Sequence, residues 1–228
     1  MMFKNYLKIA WRSVIKRKTF TFINVLGLTL GFGSSIIIYL FVFHHLSFDK
    51  FHSNSDRIYR IVSEERMDDV NFTPAIPPGF TNTFRNNYEF AEQVSRRVYW
   101  EEQLINISTP GNTIAQSRED ISFIEPQFFK IFNFPLVSEL AGRSLEEPRT
   151  AYISKNAALR MFQDNNPLGK TFVLENEETI EVIGILENLP KTSFAQESIF
   201  ISFPTIQYYN SFIFSDSWQG IDLSLIHI

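Results

Sequence analysis

Two patterns of apolar and polar residues open the chain and predict two different helices. In residues 3–18, apolar residues recur at helical spacing on one face and cations recur every fourth position on another, which predicts an amphipathic helix. Residues 20–43 contain no charged residue. A helix over that stretch is roughly 36 Å long, enough to cross a hydrocarbon core of ~30 Å. The first pattern therefore favours a helix on a membrane surface, and the second favours a membrane span.

The cations before the span predict its direction. Six Lys and Arg residues lie within the first 20 positions, and no acid lies among them. Positive charge is retained on the cytoplasmic side, so we expect a cytoplasmic segment over 1–19, a transmembrane helix over 20–44 and an extracytoplasmic domain over 45–228. A cleaved secretory signal is the weaker alternative, because signal cores run only ~7–15 apolar residues.

Specific residues carry the predicted membrane contacts. Gly27, Gly31 and Ser35 share one face of the span, and small residues at this spacing let a second helix approach closely. The surface helix has aromatic and apolar residues beside cations, as lipid interfaces favour. The candidate interface residues are Phe3, Lys4, Leu7, Lys8, Trp11 and Arg12.

The remainder of the chain alternates short strand-like and helical patterns, which predicts a mixed α+β domain with mostly antiparallel strands. A solvated turn is expected over 64–69 and a hairpin turn over 110–112. Ser154 is expected to cap the helix that follows it. The predicted helices cover 81–92, 126–132 and 155–162, and the predicted strands cover 58–62, 94–99, 103–108, 113–117, 121–124, 151–154, 171–174, 179–186 and 198–203.

Charge and cysteine content exclude several classes of function. All 25 acids follow the basic first 20 residues, so the outer part is acidic and unsuited to bind nucleic acid. No cysteine occurs, which excludes disulfides and thiolate chemistry. His44, His45 and His52 with Asp49 are interpreted as polar residues at the end of the span rather than a metal site, because adjacent histidines on a helix point about 100° apart.

The sequence offers no enzyme motif. The acids that are neighbours in sequence lie in polar, turn-like contexts, and no Gly-x-Ser-x-Gly occurs, so neither acid–base nor serine chemistry is indicated. Gly169-Lys170-Thr171 resembles the end of a phosphate loop, but Asp164 occupies the position of the first required glycine. We predict no active site, no metal and no cofactor.

Several motifs resemble a known family of membrane proteins. The segments 3–12, 22–28, 46–52 and 56–60 resemble the start of permease subunits of MacB/FtsX-type ABC transporters, especially those of Bacteroidetes. Further along, FFKIFNFPL at 128–136, NPLGK at 166–170 and VIGILENLP at 182–190 are similar to the extracytoplasmic core domain of that family.

The resemblance implies a bacterial inner-membrane subunit with one span, an outer core domain and then three more spans. Such a subunit works as a homodimer or a permease heterodimer with a separate or fused ABC ATPase, and a periplasmic adaptor or a lipoprotein substrate would be a further partner. No second apolar run of spanning length follows Phe43. A truncated product or a fragment, with an incomplete outer domain, is therefore expected.

The leading hypothesis is a non-catalytic permease subunit of an export or mechanotransmission complex. The junction that would couple the span to the outer domain runs from Asp49 to Arg60. The alternative hypothesis is a single-span receptor with a ligand-sensing outer domain, although residues 1–19 are short for a signalling domain. An anchored hydrolase is a third possibility without a nucleophile motif. The candidate junction residues are Asp49, His52, Asp56, Arg57 and Tyr59.

Overall fold

The computed structural model describes residues 2–66, 70–108, 114–163, 166–215, 217 and 224–227. The chain divides into two compact units, Met1–Phe48 and Asp49–Ile228. Each unit is described by itself.

The first unit contains two helices. Helix α1 spans Met2–Lys16 and helix α2 spans Lys18–Leu46, and the backbone breaks between them at Arg17 (φ −112°, ψ 63°). Across the break, the Thr21 hydroxyl donates to the Val14 carbonyl at 2.8 Å. Helix α2 is long and apolar enough to cross a membrane, and none of its residues is buried within the structure.

The second unit is built around a nine-stranded sheet with a separate hairpin. Its helices are α3 (Pro78–Asn87), α4 (Phe128–Ile131) and α5 (Lys155–Phe162). Its strands are β1 (Tyr59–Ile61), β2 (Ser63–Arg66), β3 (Val70–Thr73), β4 (Val94–Ser108), β5 (Ile114–Ile124), β6 (Leu136–Glu139), β7 (Thr150–Ser154), β8 (Thr171–Leu174), β9 (Glu178–Leu186), β10 (Ile199–Ser202) and β11 (Ser224–His227).

Six strands of the sheet pair in a closed cycle. The order β1-β11-β4-β5-β10-β7-β9-β6 is closed between β4 and β9 by β8, which pairs with both. Within the described residues, β5 and β10 pair in parallel, as do β7 and β9, and the other pairs are antiparallel. The expected mixed, mostly antiparallel α+β fold is confirmed.

Two apolar clusters lie on opposite faces of the central strands. Side chains alternate between the faces of a strand, and neighbours in sequence accordingly belong to different clusters. Ile153 and Ile201 lie in the first cluster, whereas Tyr152 and Phe200 lie in the second. Strands β7 and β10 are buried along their whole length because both of their faces are covered. The second cluster contains Phe128, Phe132 and Phe134, contributed by α4 and the segment after it.

Several predicted elements have different bounds in the structure. The turn expected over 64–69 is wrong for residues 64–66, which belong to β2 and pair with β3; residues 67–69 lie outside the described part. The two strands expected over 94–108 form one strand, β4, whose register shifts between Trp100 and Gln103. Likewise, the two strands expected over 113–117 and 121–124 are parts of one continuous strand, β5, within the described residues. The hairpin turn expected over 110–112 lies outside the described residues.

Local sequence signals set the ends of two helices. Ser154 caps α5 as predicted, and its hydroxyl accepts a hydrogen bond from the Ala157 amide at 3.2 Å, which satisfies one free donor of the first turn. Helix α3 begins at Pro78, three residues before the predicted start. Proline is well suited to the first helical position, because that amide has no partner within the helix.

Candidate coupling junction

Asp49, the first residue of the second unit, is held by two hydrogen bonds to a distant loop. Its amide donates to the Thr192 carbonyl at 2.9 Å, and its Oδ1 accepts from the Phe194 amide at 2.9 Å. Its backbone is in the left-handed region with φ 58°, where aspartate is tolerated better than most residues. The chain that follows α2 in sequence therefore docks onto the loop between β9 and β10.

His52 lies inside the domain, surrounded by aromatic rings. Its imidazole is 3.9 Å from the ring of Phe51, 5.0 Å from that of Phe132 and 5.2 Å from that of Phe134, measured between centroids. The residue is 2% exposed, and neither ring nitrogen has a hydrogen-bond partner in the structure. The interpretation of His52 as a polar residue at the end of the span is therefore wrong, because the side chain is packed into the second apolar cluster.

Burial affects the titration of His52. It lowers the pKa of the imidazole below 6.5, and the negative charge of Asp49 opposes this shift in part. A neutral imidazole is favoured because a charged one would lose its hydration. A hydrogen bond from the neighbouring Ser53 hydroxyl to Asn133 Oδ1, at 2.6 Å, holds the same segment against the residues after α4.

The loop that receives Asp49 is fixed on its other side by a buried ion pair. Glu197 is fully buried and accepts two hydrogen bonds from the guanidinium of Arg97 on β4, at 3.0 and 3.1 Å. The Ser122 hydroxyl on β5 donates to the same carboxylate at 2.6 Å. Arg97 also lies over the ring of Phe194, 5.2 Å from its centroid. A continuous set of contacts thus runs from Asp49 through Phe194 to the central strands.

The other predicted junction residues lie nearer the surface. Arg57 pairs with Glu92 at 3.0 Å, with both side chains more than 60% exposed, and such pairs contribute little stability. Asp56 is exposed and lies in a 3₁₀ turn over Ser55–Arg57. Tyr59 is exposed on β1, which pairs with β11. Of the five predicted residues, the structure therefore brings Asp49 and His52 into the docking contact.

Sequence reasoning missed the partners of Asp49 and His52. Phe132 and Phe134 were recognised only as part of a family motif, and Phe194, Arg97 and Glu197 were not selected. Arg97 directly follows Arg96 on β4, so the sequence does not show which of the two cations lies at a buried position and needs a buried partner. The identity of that partner was not accessible, because it lies 100 residues away.

The predicted helix-packing face of α2 is open. A Cβ added at Gly27 or Gly31 would meet no atom within 4 Å, and the Ser35 hydroxyl donates to the Gly31 carbonyl at 2.8 Å. That bond satisfies the hydroxyl within the helix itself. Packing of a second helix on this face stays a prediction.

The predicted surface helix is present as α1. Lys8, Trp11 and Arg12 are exposed on it, and the side chains of Phe3, Lys4 and Leu7 lie outside the described part of the structure. The placement of α1 at a membrane surface stays a prediction. Among the described residues, no group of three His, Asp or Glu side chains is arranged to hold a metal ion.

Comparison with protein families identifies the class of protein. The model of the MacB-like periplasmic core domain matches residues 21–226, and the chain belongs to this family. The resemblance to permeases of the MacB/FtsX type is therefore confirmed. The folded domain is of a periplasmic type, and the apolar helix before it is long enough to anchor it in a membrane.

Solved structures share the fold. A domain of a permease-like protein from Porphyromonas gingivalis superposes with a TM-score of 0.64 at 16% identity, over 77% of this chain and 74% of that one. The extracellular domain of the noncanonic ABC-type transporter YknZ from Gram-positive bacteria superposes with a TM-score of 0.52 at 13% identity, over 75% and 83%. None of the curated proteins compared with the chain matches it.

Proposed function

We propose that this protein acts as the permease subunit of an ABC-type export or mechanotransmission complex, in which ATP hydrolysis by a partner moves α2 and α2 moves the extracytoplasmic domain. Family membership supports the permease class. The observation that carries the coupling role is the double hydrogen bond of Asp49 to the loop between β9 and β10. A helix can transmit force to a domain only if the connecting chain is held to it.

The composition of α2 favours a lever over a conduction path. Between Phe20 and Phe43 the helix has no charged side chain, and intramembrane charges commonly mark ion and proton paths. The small face made by Gly27, Gly31 and Ser35 offers a second helix a close contact. We assign this face to packing within a permease dimer.

The proposed arrangement places the first 19 residues in the cytoplasm, since all six of their Lys and Arg residues precede the span. Helix α1 would lie at the inner membrane surface, in contact with lipid. The ATPase would be a separate subunit or a separate domain, and this chain would not itself be catalytic. A periplasmic adaptor or a lipoprotein is the partner proposed for the outer domain.

The test measures movement of the outer domain in the full-length subunit assembled with its ATPase. The chain has no cysteine, so a spin label at Gln116→Cys, an exposed position on β5, marks each copy uniquely. Distances between the two labels are measured in ADP and in ATP with vanadate. We expect the distance to change between the two states, and the double variant Asp49→Ala, His52→Ala to reduce that change while the ATPase still copurifies.

The matched control is Arg57→Gln, in the same segment but at an exposed ion pair, which should leave the distance change intact. Equal distances in both nucleotide states in the parent protein would overturn the proposal. If the double variant shows the same change in label distance as the parent protein, then the contacts of Asp49 and His52 do not transmit the movement.

The packing face has its own paired test in the same complex. Gly31→Leu should disrupt the dimer or uncouple its ATPase, whereas Gly33→Leu lies on the opposite side of the helix, about 200° away, and should have a smaller effect. Neither position is crowded within the chain itself. Equal behaviour of the two variants would count against the assigned face.

A further inference from the structure

A small cavity lies beside the junction and has an unusual combination of lining groups. It has a volume of about 240 Å³ and is lined by Asp49, Ser55, Ile58, Arg60, Phe132 and Phe194. This is just below the usual range of ~300–1,000 Å³ for pockets that hold drug-sized ligands. A ligand of this cavity would therefore be a small one.

Part of the cavity wall is apolar. Phe132 and Phe194 pack with ring centroids 4.8 Å apart, and Ile58 packs against the same cluster of buried side chains. Apolar walls of this kind contribute binding free energy by removing an aliphatic or aromatic group from water. They specify one part of the ligand as a hydrophobic group.

Two side chains of opposite charge, Asp49 and Arg60, also line the cavity, together with Ser55. Asp49 uses Oδ1 for the Phe194 amide, and a carboxylate has further lone pairs with which to accept an ammonium group. The Arg60 guanidinium carries five donors in a planar fork that matches a carboxylate, so it can bind one while it keeps other contacts. Partial burial, together with the positive charge of Arg97, lowers the pKa of Arg60. A bound anion would offset both effects, because its negative charge stabilises the charged guanidinium.

From this combination of charges and apolar walls, we infer that the cavity binds a single free amino acid with an apolar side chain. Arg60 holds the α-carboxylate, Asp49 holds the α-ammonium group, and the side chain lies against Phe132, Phe194 and Ile58. This site is additional to the proposed coupling function. Its occupant would touch Phe194, whose amide anchors Asp49, and would therefore stabilise the docked junction.

The test uses ligand-observed NMR and calorimetry on the full chain in detergent, without the ATPase, so that its outcome is independent of the coupling proposal. The probes are L-leucine and L-phenylalanine. Three matched compounds each lack one recognised group: 4-methylpentanoate has no ammonium, 3-methylbutylamine has no carboxylate, and glycine has no apolar side chain. We expect the two apolar amino acids to bind at least about tenfold more tightly than any of the three, since hydrogen bonds to charged groups are the strong ones.

Three variants test the assigned contacts. Arg60→Gln should weaken L-leucine binding about tenfold or more. Asp49→Asn keeps an oxygen for the Phe194 amide but removes the negative charge. This variant should weaken the binding of ligands that have an ammonium group and leave the binding of 4-methylpentanoate unchanged. Ile58→Trp should fill the cavity and abolish binding. Arg57→Gln, outside the cavity, is the control and should bind as the parent does.

Hydrogen exchange supplies a second readout. L-leucine at a concentration near the Kd of the parent protein should slow exchange of the Asp49 and Phe194 amides in the parent, and should slow it much less in Arg60→Gln. The inference is overturned if neither amino acid binds at 10 mM, if all five compounds bind equally, or if Arg60→Gln binds as tightly as the parent. Should Ile58→Trp fail to fold, Arg60→Gln and the matched ligands still decide the question.

Discussion

Asp49 and Phe194 are 145 residues apart in sequence and are joined by a 2.9 Å hydrogen bond from the Phe194 amide to the Asp49 carboxylate. Asp49 begins the folded domain, shortly after the long apolar helix ends at Leu46. Phe194 lies in a loop that a buried ion pair fixes to the central strands. The two residues thus tie the first residue of the domain to a loop that buried charges hold in place.

Replacing Asp49 with alanine should release this anchor. A hydrogen bond to a charged group contributes ~1.5–3 kcal/mol, and alanine is less tolerant than aspartate of the positive φ at this position. We expect the Phe194 amide to exchange with solvent at least about tenfold faster in Asp49→Ala, as measured by hydrogen exchange with mass spectrometry.

Asp49→Asn is the matched variant for this experiment. It retains an acceptor oxygen and tolerates the left-handed conformation, so exchange at Phe194 should rise much less. Equal exchange rates in the parent and in Asp49→Ala would show that the hydrogen bond does not hold the loop.

His52 should make the domain less stable in mild acid. Burial lowers the pKa of the folded-state imidazole below 6.5, so the unfolded chain takes up a proton first as the pH falls. The His52 contribution is therefore complete above pH 6.5 and is lost as the pH drops from 6.5 through the lowered folded pKa. One proton changes the free energy of unfolding by at most about 1.4 kcal/mol per pH unit.

His52→Phe removes this titration and fits the aromatic surroundings. The substitution removes the two ring nitrogens of His52, which have no hydrogen-bond partner. The variant should therefore be at least as stable as the parent at pH 7.5. Urea unfolding at pH 7.5, 6.5 and 5.5, followed by tryptophan fluorescence, gives the comparison. An identical decline in stability for the parent and His52→Phe would assign the acid sensitivity to other groups.

The buried pair of Arg97 and Glu197 should be costly to break on one side. Glu197→Gln leaves the Arg97 guanidinium nearly buried without its anion, and removing one partner of a buried pair costs ~3–5 kcal/mol. The reduction should appear as a lower urea midpoint with an unchanged slope. Glu92→Gln, which breaks the exposed pair with Arg57, should change stability by less than ~1 kcal/mol.

The double variant Arg97→Met, Glu197→Leu gives the pair a second test. Replacing both charges with apolar side chains can be neutral or even stabilising, so the double variant should recover much of the loss. If it is as unstable as Glu197→Gln, then shape and the hydrogen bond from Ser122 matter more than charge balance.

Features with strong local signals could be predicted from the sequence. The long apolar helix α2 was predicted because no charge interrupts its apolar run. Ser154 was predicted as a helix cap because it combines a capping side chain with a preceding apolar strand. Both predictions depend only on residues that are neighbours along the chain.

Features that depend on distant partners were missed or misjudged. Residues 64–66 of strand β2 were assigned to a turn, because their polar sequence does not reveal the pairing with β3 that makes them a strand. Strand β4 was divided in two, because the register shift near Glu102, where φ is 51°, interrupts the period of two. His52 was assigned to the membrane interface because Phe132 and Phe134, two of the three rings packed against it, lie far from it in sequence.

Gly184 on β9 occupies a position where no side chain fits. It pairs with Tyr152 on β7, and a Cβ at this position would lie 2.6 Å from the Tyr152 Cε1 atom. The Tyr152 ring is buried in the second cluster, and its hydroxyl donates to Glu139 on β6. The ring therefore cannot move aside without loss of that hydrogen bond and of apolar packing.

We therefore expect Gly184→Ala to destabilise the domain by about 1–3 kcal/mol, the usual cost of overpacking a core. A double-mutant cycle with Tyr152→Leu, measured by urea unfolding, identifies the source of the cost. In the Tyr152→Leu background the added methyl group meets a smaller side chain, so Gly184→Ala should cost clearly less there. An equal cost in both backgrounds would mean that the strain arises from the strand backbone and not from contact with the Tyr152 ring.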